Sequence, residues 1–147
     1  MTCIVFPGQG SQFIGMSKDF YDNFRAAKQI FEEIEDYVKI DLKKIIFDGY
    51  NDLLNQTNYT QISIFTASIT IFKCLQNETN LGSNFANIMM GHSLGEYSAL
   101  ASSGKLSLKD CSLILKTRGE LMNNAVEPNK SGMAALIGSD ANHVQNI

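Results

Sequence analysis

The sequence predicts an α/β fold, and three features of the chain support that prediction. Two short apolar runs, Cys3 to Phe6 and Phe85 to Met90, have the length and composition of buried strands. Between them, apolar residues recur at three- and four-residue steps, which is the period of amphipathic helices. The second run leads into a glycine-rich turn and a further helical segment. Strands that alternate with helices in this way favour an α/β fold.

The front of the chain predicts a strand followed by three helices. The strand Cys3 to Phe6 ends at a proline-glycine turn. An amphipathic helix is predicted from Ser17 onward, since the following apolar residues keep a helical step: Phe20, Phe24, Ala27, Phe31 and Ile34. A short helix is predicted for Leu42 to Phe47. Ile62 to Leu75 is rich in β-branched residues but too long for one strand, and its helical steps predict a buried helix.

The back of the chain predicts two more helices and one more strand. Glu96 to Ser102 follows the glycine-rich turn as a helix, and Ser107 with Asp110 marks the start of the next. The apolar stripe of that helix consists of Leu108, Cys111, Leu115, Arg118 and Met122. Met133 to Ile137 is predicted to be a strand, but it has no partner in the sequence. We therefore expect that the sequence is cut inside a second subdomain.

Length and composition are those of one soluble globular domain. The chain has 147 residues, 44% hydrophobic and 18% charged. Its net charge of -3 argues against nucleic-acid binding, which needs a basic face. The longest apolar stretch, Ile62 to Leu75, is interrupted by serine, threonine and lysine, so no membrane span is predicted. The N-terminus carries no secretion signal, and we expect a cytoplasmic protein.

The three cysteines are predicted to be buried, reduced thiols. Cys3, Cys74 and Cys111 are odd in number, widely spaced and embedded in apolar patterns. Together with His92 and His143 they show no metal-ligand spacing. The sequence therefore predicts no metal site.

Gly91 to Gly95 matches G-x-S-x-G, the pattern of a nucleophile elbow. Its glycines allow a tight strand-to-helix turn that exposes the hydroxyl of Ser93. The N–H of Leu94, at the start of the helix, is placed to stabilise an oxyanion. A pattern this short can arise by chance, but the strand before it and the helix after it supply the required context. Ser93 is therefore the predicted nucleophile.

Neither histidine is predicted to be the catalytic base. Adjacent side chains diverge at a tight elbow, whereas a base must come within about 3 Å of the serine hydroxyl. We expect His92 to line the pocket or to pack against a helix. His143 lies in no recognisable motif and is expected to be an exposed helix residue.

Arg118 and the first turn are further candidates for binding. Arg118 lies on an apolar face, where its permanent charge favours an anionic partner. That partner could be a substrate carboxylate or a carboxylate of the chain such as Glu96, or the guanidinium could reach water. The turn Pro7 to Gln12 follows the first strand, and its amides could complete an oxyanion hole. Gln9 could equally be a turn residue without a catalytic part.

Four segments, in matching order and spacing, resemble the malonyl-CoA:acyl-carrier-protein transacylases of bacterial fatty acid synthesis. They are IVFPGQGSQFIGM, TNYTQISIF, GHSLGEYSAL, and RGELM followed by GMAALIG. The resemblance covers essentially the whole chain, but those enzymes are longer, so only their front half is represented. It implies an α/β-hydrolase-like large subdomain with a parallel sheet over 1–127. It further implies the start of a ferredoxin-like small subdomain over 128–147.

The resemblance also implies an activity and the residues that perform it. Malonyl passes from malonyl-CoA to a serine and then to the phosphopantetheine thiol of the acyl carrier protein. No cofactor is implied, because the coenzyme A thioester is the substrate. The implied site residues are Ser93 as nucleophile, Gln9 and Leu94 as oxyanion-hole amides, and Arg118, Gln61 and His92 in the substrate pocket. Arg118 would bind the malonyl carboxylate. The family's catalytic histidine falls in the half not represented here, so we expect this chain alone to be almost inactive. A complementary C-terminal chain could supply it.

Other classes of protein stay open at this point. A serine hydrolase or patatin-like lipase shares the elbow, although no HGGG-type loop is present and Arg118 would be out of place beside a neutral ester. A non-catalytic remnant is also consistent with the missing base. Acyltransferase domains of polyketide synthases share GHS-x-GE, so the choice of extender unit also stays open.

Overall fold

A computed structural model of the chain describes residues 2–79 and 86–126, together with Lys130 and Gly138. In this part of the chain, two strands and six α-helices follow one another in an α/β arrangement. The elements are β1 (Cys3–Phe6), α1 (Lys18–Asn23), α2 (Arg25–Val38), α3 (Leu42–Asp48), a 3₁₀ helix (Tyr50–Asn55), α4 (Thr57–Glu78), β2 (Ile88–Gly91), α5 (Gly95–Ser102) and α6 (Leu108–Asn123). The predicted boundary between 127 and 128, and the predicted strand Met133 to Ile137, lie outside the described residues.

The two strands pair in parallel, with Cys3 opposite Ile88 and Phe6 opposite Gly91. A parallel pair needs a long crossover, which is here made of helices α1 to α4. The predicted α/β class is therefore confirmed. The strand predicted for Phe85 to Met90 is observed as β2, Ile88–Gly91, so it begins and ends later than predicted, and Phe85 itself lies outside the described residues. Strand β2 runs directly into the elbow and α5.

Helix α4 is the centre of the fold, and it is buried on nearly all sides. Thirteen of its residues are buried, several of them polar. The polar ones are tolerated where they bond to the backbone: Thr66 Oγ1 donates to the Ile62 carbonyl at 2.8 Å, and Thr60 Oγ1 donates to the Leu54 carbonyl at 2.7 Å. The helix predicted between Ile62 and Leu75 is confirmed. It is longer than predicted, because its first turn is polar and an apolar pattern does not mark it.

The main hydrophobic core lies between α4 and the helices α2, α3 and α6. Phe31, Ile34 and Leu42 from the first half of the chain are completely buried there against Phe65 and Leu115. The aromatic rings of Phe31 and Phe47 lie 5.2 Å apart between centroids in the same cluster. The predicted stripe of α2 and the predicted short helix α3 therefore both face the core.

The single helix predicted from Ser17 onward is wrong, because the chain forms two helices that separate at Phe24. Phe24 has extended dihedrals, φ -120° and ψ 128°. Just before it, Asn23 Nδ2 donates to the Asp19 carbonyl at 2.8 Å and satisfies a carbonyl at the end of α1. The apolar period continues across this one-residue break, so periodicity alone does not reveal it.

The burial predicted for the three cysteines is correct for two of them. Cys74 and Cys111 are buried, whereas Cys3 is exposed. Cys3 lies on β1, where alternate residues face opposite sides, and the side of the strand that Cys3 and Val5 share is uncovered. The apolar pattern around Cys3 identifies a strand correctly but does not show that both of its faces are covered.

Helix α6 begins and packs as the sequence predicts. Ser107 Oγ accepts a hydrogen bond from the Asp110 N–H at 3.0 Å, which caps the helix. Gly119 allows α6 to approach the start of α4, since a Cβ there would lie 2.9 Å from Asn58 Cα. The close crossing fixes the position of the neighbouring Arg118. In the described part of the chain, no helix is both long and apolar enough to cross a membrane.

Candidate active site

The turn between β2 and α5 has the geometry of a nucleophile elbow. Ser93 adopts φ 55°, a left-handed conformation that costs a non-glycine residue about 1–2 kcal/mol. The surrounding glycines make this turn sterically feasible. A Cβ at Gly91 would lie 1.9 Å from the Gly95 carbonyl carbon, and a Cβ at Gly95 would lie 2.5 Å from the Phe6 carbonyl oxygen. The two glycines thus let the elbow fold on itself and rest against β1.

Ser93 is exposed at the N-terminus of α5, where a backbone amide is free. The N–H groups of Gly95 and Glu96 donate to the carbonyls of His92 and Ser93, at 2.9 and 3.1 Å. The N–H of Leu94 donates to no acceptor among the described residues, while its side chain is completely buried and anchors the turn. An oxyanion formed at Ser93 would therefore meet an unpaired donor at the positive end of a helix dipole.

The first turn of the chain lies against the elbow. The N–H of His92 donates to the Phe6 carbonyl at 3.1 Å, and a Cβ at Gly8 would lie 2.4 Å from His92 Nδ1. The imidazole therefore packs on Gly8. Gln9 follows Gly8, and its Nε2 donates to Thr57 Oγ1 at 3.2 Å, while its own N–H has no acceptor in the described part of the chain. Gln9 thus brings a second unpaired amide to the same end of the sheet.

Arg118 links the serine to the helical core. Its Nη2 donates to Ser93 Oγ at 3.0 Å, and its Nη1 donates to Gln61 Oε1 at 2.5 Å. Gln61 is completely buried, and its Nε2 donates to Met122 Sδ at 3.1 Å. Both ends of the Gln61 amide are therefore engaged, which holds its oxygen towards the guanidinium.

The charge of Arg118 is not neutralised by any acidic side chain that the structure describes. The ion pairs in these residues join Lys18 to Asp22, Lys39 to Asp36 and Lys43 to Glu35. Glu96, the internal partner considered from the sequence, is exposed and makes no ion pair with the arginine. A half-buried guanidinium held by two neutral oxygens has capacity left for an anion.

An open cleft leads to the arginine between α5 and α6. Its volume is about 610 Å³, and Arg118 lies in its wall among mostly apolar side chains: Tyr97, Leu113, Ile114, Leu121 and Met122. Apolar walls around a charged group strengthen its attraction for a carboxylate. The cleft therefore offers an anionic group a route to the guanidinium.

The structure brings most of the predicted site residues together. The side chains of Ser93, Arg118 and Gln61 form one hydrogen-bonded chain, and the free N–H of Leu94 directly follows the serine. Gln9 lies in the first turn, which packs on the elbow through Gly8 and His92. His92 lies beside the site without a hydrogen bond to Ser93, and His143 lies outside the described residues.

Two residues of this arrangement were not assigned to the site from the sequence. Thr57 holds the Gln9 side chain, and Met122 holds the Gln61 amide. Met122 belongs to the predicted stripe of α6, one turn after Arg118, which places both on one face. No comparable signal marks Thr57, because its contact joins residues 48 positions apart.

Comparison with known proteins identifies the family of the chain. The family model described as the acyl transferase domain matches residues 3–146. A malonyl CoA-acyl carrier protein transacylase of Bacillus subtilis strain 168 is 41% identical over 143 residues, which are 97% of this chain and 44% of the relative. The chain thus spans less than half the length of this curated relative.

Solved structures agree with the sequence relatives. A malonyl CoA-acyl carrier protein transacylase from Clostridium perfringens superimposes with a TM-score of 0.86 at 34% identity, covering 99% of this chain and 45% of that protein. A malonyl-transacylase solved in complex with its type II PKS acyl-carrier protein gives a TM-score of 0.77 at 38% identity, covering 85% and 40%. Both superpositions thus cover most of this chain but less than half of each neighbour.

Proposed function

This chain belongs to the acyl transferase domain family, and we propose that it supplies the nucleophile and the carboxylate-binding arginine for transfer of malonyl from coenzyme A to an acyl carrier protein. The observation that carries this proposal is the position of Arg118. Its guanidinium lies 3.0 Å from Ser93 Oγ and has no acidic partner among the described residues. Relatives named as malonyl transacylases support the same assignment.

Malonyl has two groups that the site can receive separately. The carboxylate pairs with the guanidinium of Arg118, and the thioester carbonyl then lies over Ser93. The Ser93 hydroxyl attacks the carbonyl carbon, and the resulting oxyanion accepts hydrogen bonds from the free N–H groups of Leu94 and Gln9. Collapse of this intermediate expels the coenzyme A thiolate and leaves a malonyl ester on the serine. The carrier thiol reverses the sequence in a second half-reaction.

Removal of the Ser93 proton requires a base. His92 packs on Gly8 and makes no hydrogen bond to Ser93, so its position supports a role in the wall of the pocket rather than as the base. The family resemblance assigns the base to a histidine in the part of the relatives that this chain does not span. We therefore propose that the chain alone turns over malonyl-CoA very slowly.

Arg118 is also proposed to select the acyl group. An acetyl group has no carboxylate and would leave the guanidinium with only its two neutral acceptors. A site built to pair with a polar group of its substrate discriminates against a substrate that lacks that group. Gln61 is proposed to orient the guanidinium, because its amide is held from behind by Met122.

We also propose the subdomains of the protein, its location, its substrate and its acceptor. The described residues would form part of an α/β-hydrolase-like subdomain in a cytoplasmic enzyme that uses malonyl-CoA as substrate and needs no cofactor. A ferredoxin-like subdomain would begin near residue 128. The complex of a related malonyl-transacylase with an acyl-carrier protein supports the carrier as the acceptor.

The experiment is a search for the covalent ester by intact mass spectrometry. The purified chain is incubated with malonyl-CoA, alone and after co-expression with the part of the Bacillus subtilis relative that this chain does not span; we call the second preparation the complemented sample. We expect a slow malonyl adduct in the chain alone and rapid loading in the complemented sample. Ser93→Ala should abolish the adduct in both, because it removes the attacking oxygen.

Several results would contradict the proposal. One is an adduct that persists in Ser93→Ala, and another is the absence of any adduct even in the complemented sample, which would favour a non-catalytic protein. Rapid hydrolysis of a neutral aryl ester without malonyl loading would instead favour a serine hydrolase. Ser98→Ala, a buried serine one turn further along α5, is the matched control and should load normally.

A further inference from the structure

The proposed oxyanion hole depends on the direction of one exposed backbone amide, the N–H of Gln9. Gly8, just before it, is buried and packs on the elbow, but Gln9, Gly10 and Ser11 are all exposed. On the other side of the hole, the turn is anchored by the completely buried side chain of Leu94. Burial therefore contributes little to fixing the Gln9 amide, and hydrogen bonds within the first turn must fix it.

Ser11 bonds twice to the carbonyl of Gly8. Its Oγ donates to the Gly8 carbonyl oxygen at 2.8 Å, and its N–H donates to the same oxygen at 3.4 Å. This carbonyl belongs to the peptide group that also contains the N–H of Gln9. Because this peptide group is planar and trans, its C=O and N–H point in opposite directions. Ser11 therefore fixes the direction of the Gln9 N–H through the carbonyl of the same peptide.

Gln12 holds the next peptide group of the turn. Its Oε1 accepts a hydrogen bond from the Gly10 N–H at 2.8 Å. Gly10 has φ 103°, which fits the third position of a type II turn, and rotation of the peptide between Gln9 and Gly10 would convert such a turn to type I. The bond to Gln12 opposes that rotation. Both peptide groups that flank the Gln9 Cα are therefore held by a side chain.

The side chain of Gln12 is itself held by the 3₁₀ helix. Its Nε2 donates to Asn55 Oδ1 at 3.3 Å, and Asn55 Nδ2 donates to Asp52 Oδ1 at 2.6 Å. The side chain of Gln9 bonds to Thr57, at the start of α4. The first turn is therefore attached to the helical region at two points, and the amide oxygen of Gln12 stays directed towards the turn.

We propose that Ser11 and Gln12 are positioning residues, which hold the N–H of Gln9 towards the oxyanion formed at Ser93. The inference rests on the proposed function, because it assumes that this oxyanion forms. Donors that are fixed before the reaction stabilise the transition state without reorganisation, and loss of one such donor lowers kcat by roughly 10²–10³-fold. Arg118, the proposed carboxylate-binding group, donates to neither of these two described side chains. Substrate binding should therefore change much less than the chemical step.

The test measures the rate of Ser93 loading in the complemented sample over a range of malonyl-CoA concentrations. We expect Ser11→Ala and Gln12→Met to lower the maximal rate constant by at least about tenfold, and to change the half-saturating concentration by less than about twofold. Ser11→Thr keeps a hydroxyl and should restore most of the rate. Ser103→Ala is the matched control, because Ser103 Oγ also donates to a carbonyl three residues earlier, that of Leu100, at 3.1 Å. This control should load normally.

A spectroscopic measurement separates positioning of the amide from a general effect on stability. When malonyl-CoA carries an isotopic label at its thioester carbonyl, the infrared band of the Ser93 ester reports the hydrogen bonds that this carbonyl accepts. We expect the band at higher frequency in Ser11→Ala and Gln12→Met than in the wild type, because a carbonyl that accepts weaker hydrogen bonds is less polarised. The band should keep its wild-type frequency in Ser103→Ala.

Several results would overturn this inference alone. They are loading of Ser11→Ala at the wild-type rate, a loss of rate that Ser11→Thr does not restore, and an unshifted ester band in both Ser11→Ala and Gln12→Met. A wild-type complemented sample that forms no Ser93 adduct would instead overturn the proposed function, and this inference with it.

Discussion

The helical and the sheet regions of this chain are packed very differently. In the helical region, seventeen of the described residues are buried in one cluster between α4 and its neighbours. In the sheet region, the corresponding cluster within the described residues has three members, Phe6, Phe72 and Ala99. The helical region therefore carries most of the hydrophobic stabilisation, while β1 exposes the apolar side chain of Val5 on one face.

The candidate active site lies across the junction of these two regions. Ser93 is positioned by β2 and by contacts of the elbow with β1, whereas Arg118 and Gln61 are positioned by α6 and α4. The Arg118 to Ser93 hydrogen bond joins the two sides. The arginine side of the candidate site is therefore held by the helical core, whereas the serine side depends on the packing of the elbow against the sheet.

The largest expected effect comes from a cavity in the helical core. Phe31→Ala should lower the free energy of unfolding by about 3–5 kcal/mol, because it leaves a cavity in a fully buried cluster. Val5→Ala, on the open edge, should change it by less than about 0.5 kcal/mol. Urea unfolding of both variants measures the difference. Similar decreases in the free energy of unfolding would mean that Val5 is packed as tightly as Phe31.

The next effect concerns the helical side of the site. Gln61→Leu removes the acceptor of Arg118 Nη1, and hydrogen bonds to charged groups contribute about 1.5–3 kcal/mol. We expect malonyl loading of the complemented sample to slow by at least about tenfold. Gln61→Glu keeps an acceptor but neutralises the guanidinium, and should lower malonyl loading more than acetyl loading. Unchanged malonyl loading in both variants would show that Gln61 does not orient the arginine.

The sheet side of the site is tested at the elbow. Gly95→Ala places a Cβ 2.5 Å from the Phe6 carbonyl oxygen and must push α5 away from β1. Overpacking of this kind costs about 1–3 kcal/mol, and it should also reduce Ser93 loading. Glu96→Ala, the exposed neighbour, is the control and should be neutral within about 0.5 kcal/mol. A stable, fully active Gly95→Ala variant would contradict the close packing of the elbow on β1.

The smallest effect distinguishes the thiols of the two regions. Burial raises the pKa of Cys74 and Cys111, so both stay protonated in the folded chain when they would begin to ionise in the unfolded one. Their contribution to stability is therefore present below about pH 9 and is lost as the pH rises through their folded values. In native protein a thiol reagent should modify Cys3 rapidly and the other two slowly, as mass spectrometry would show. Rapid modification of Cys111 would show that the helical core opens readily.

The sequence predicted most elements, because periodicity and turn residues are local signals. The elbow, α4 and the capped start of α6 follow from residues within a few positions of one another. The break at Phe24 and the exposure of Cys3 were not predicted, since the first depends on a side chain bonding to the backbone and the second on which strands flank β1.

The 3₁₀ helix at Tyr50–Asn55 was also not predicted. Asn51 and Asp52 both adopt left-handed dihedrals within it, a conformation that asparagine and aspartate tolerate better than most residues but that no periodic pattern reveals. In the candidate site, too, contacts between residues distant in sequence could not be predicted. The elbow at Ser93 could be predicted from its motif, whereas the bond between Gln61 and Met122 joins residues 61 positions apart.

The central claim is that Arg118, unpaired by any acid in the described chain, makes the site selective for a malonyl group. The most direct measurement is competition between malonyl-CoA and acetyl-CoA for Ser93 in the complemented sample, read as the ratio of the two adducts by intact mass spectrometry. We predict a strong excess of malonyl for the wild type and loss or reversal of that preference in Arg118→Leu, with acetyl loading retained. Equal preference in the two proteins would show that the guanidinium does not select the acyl group.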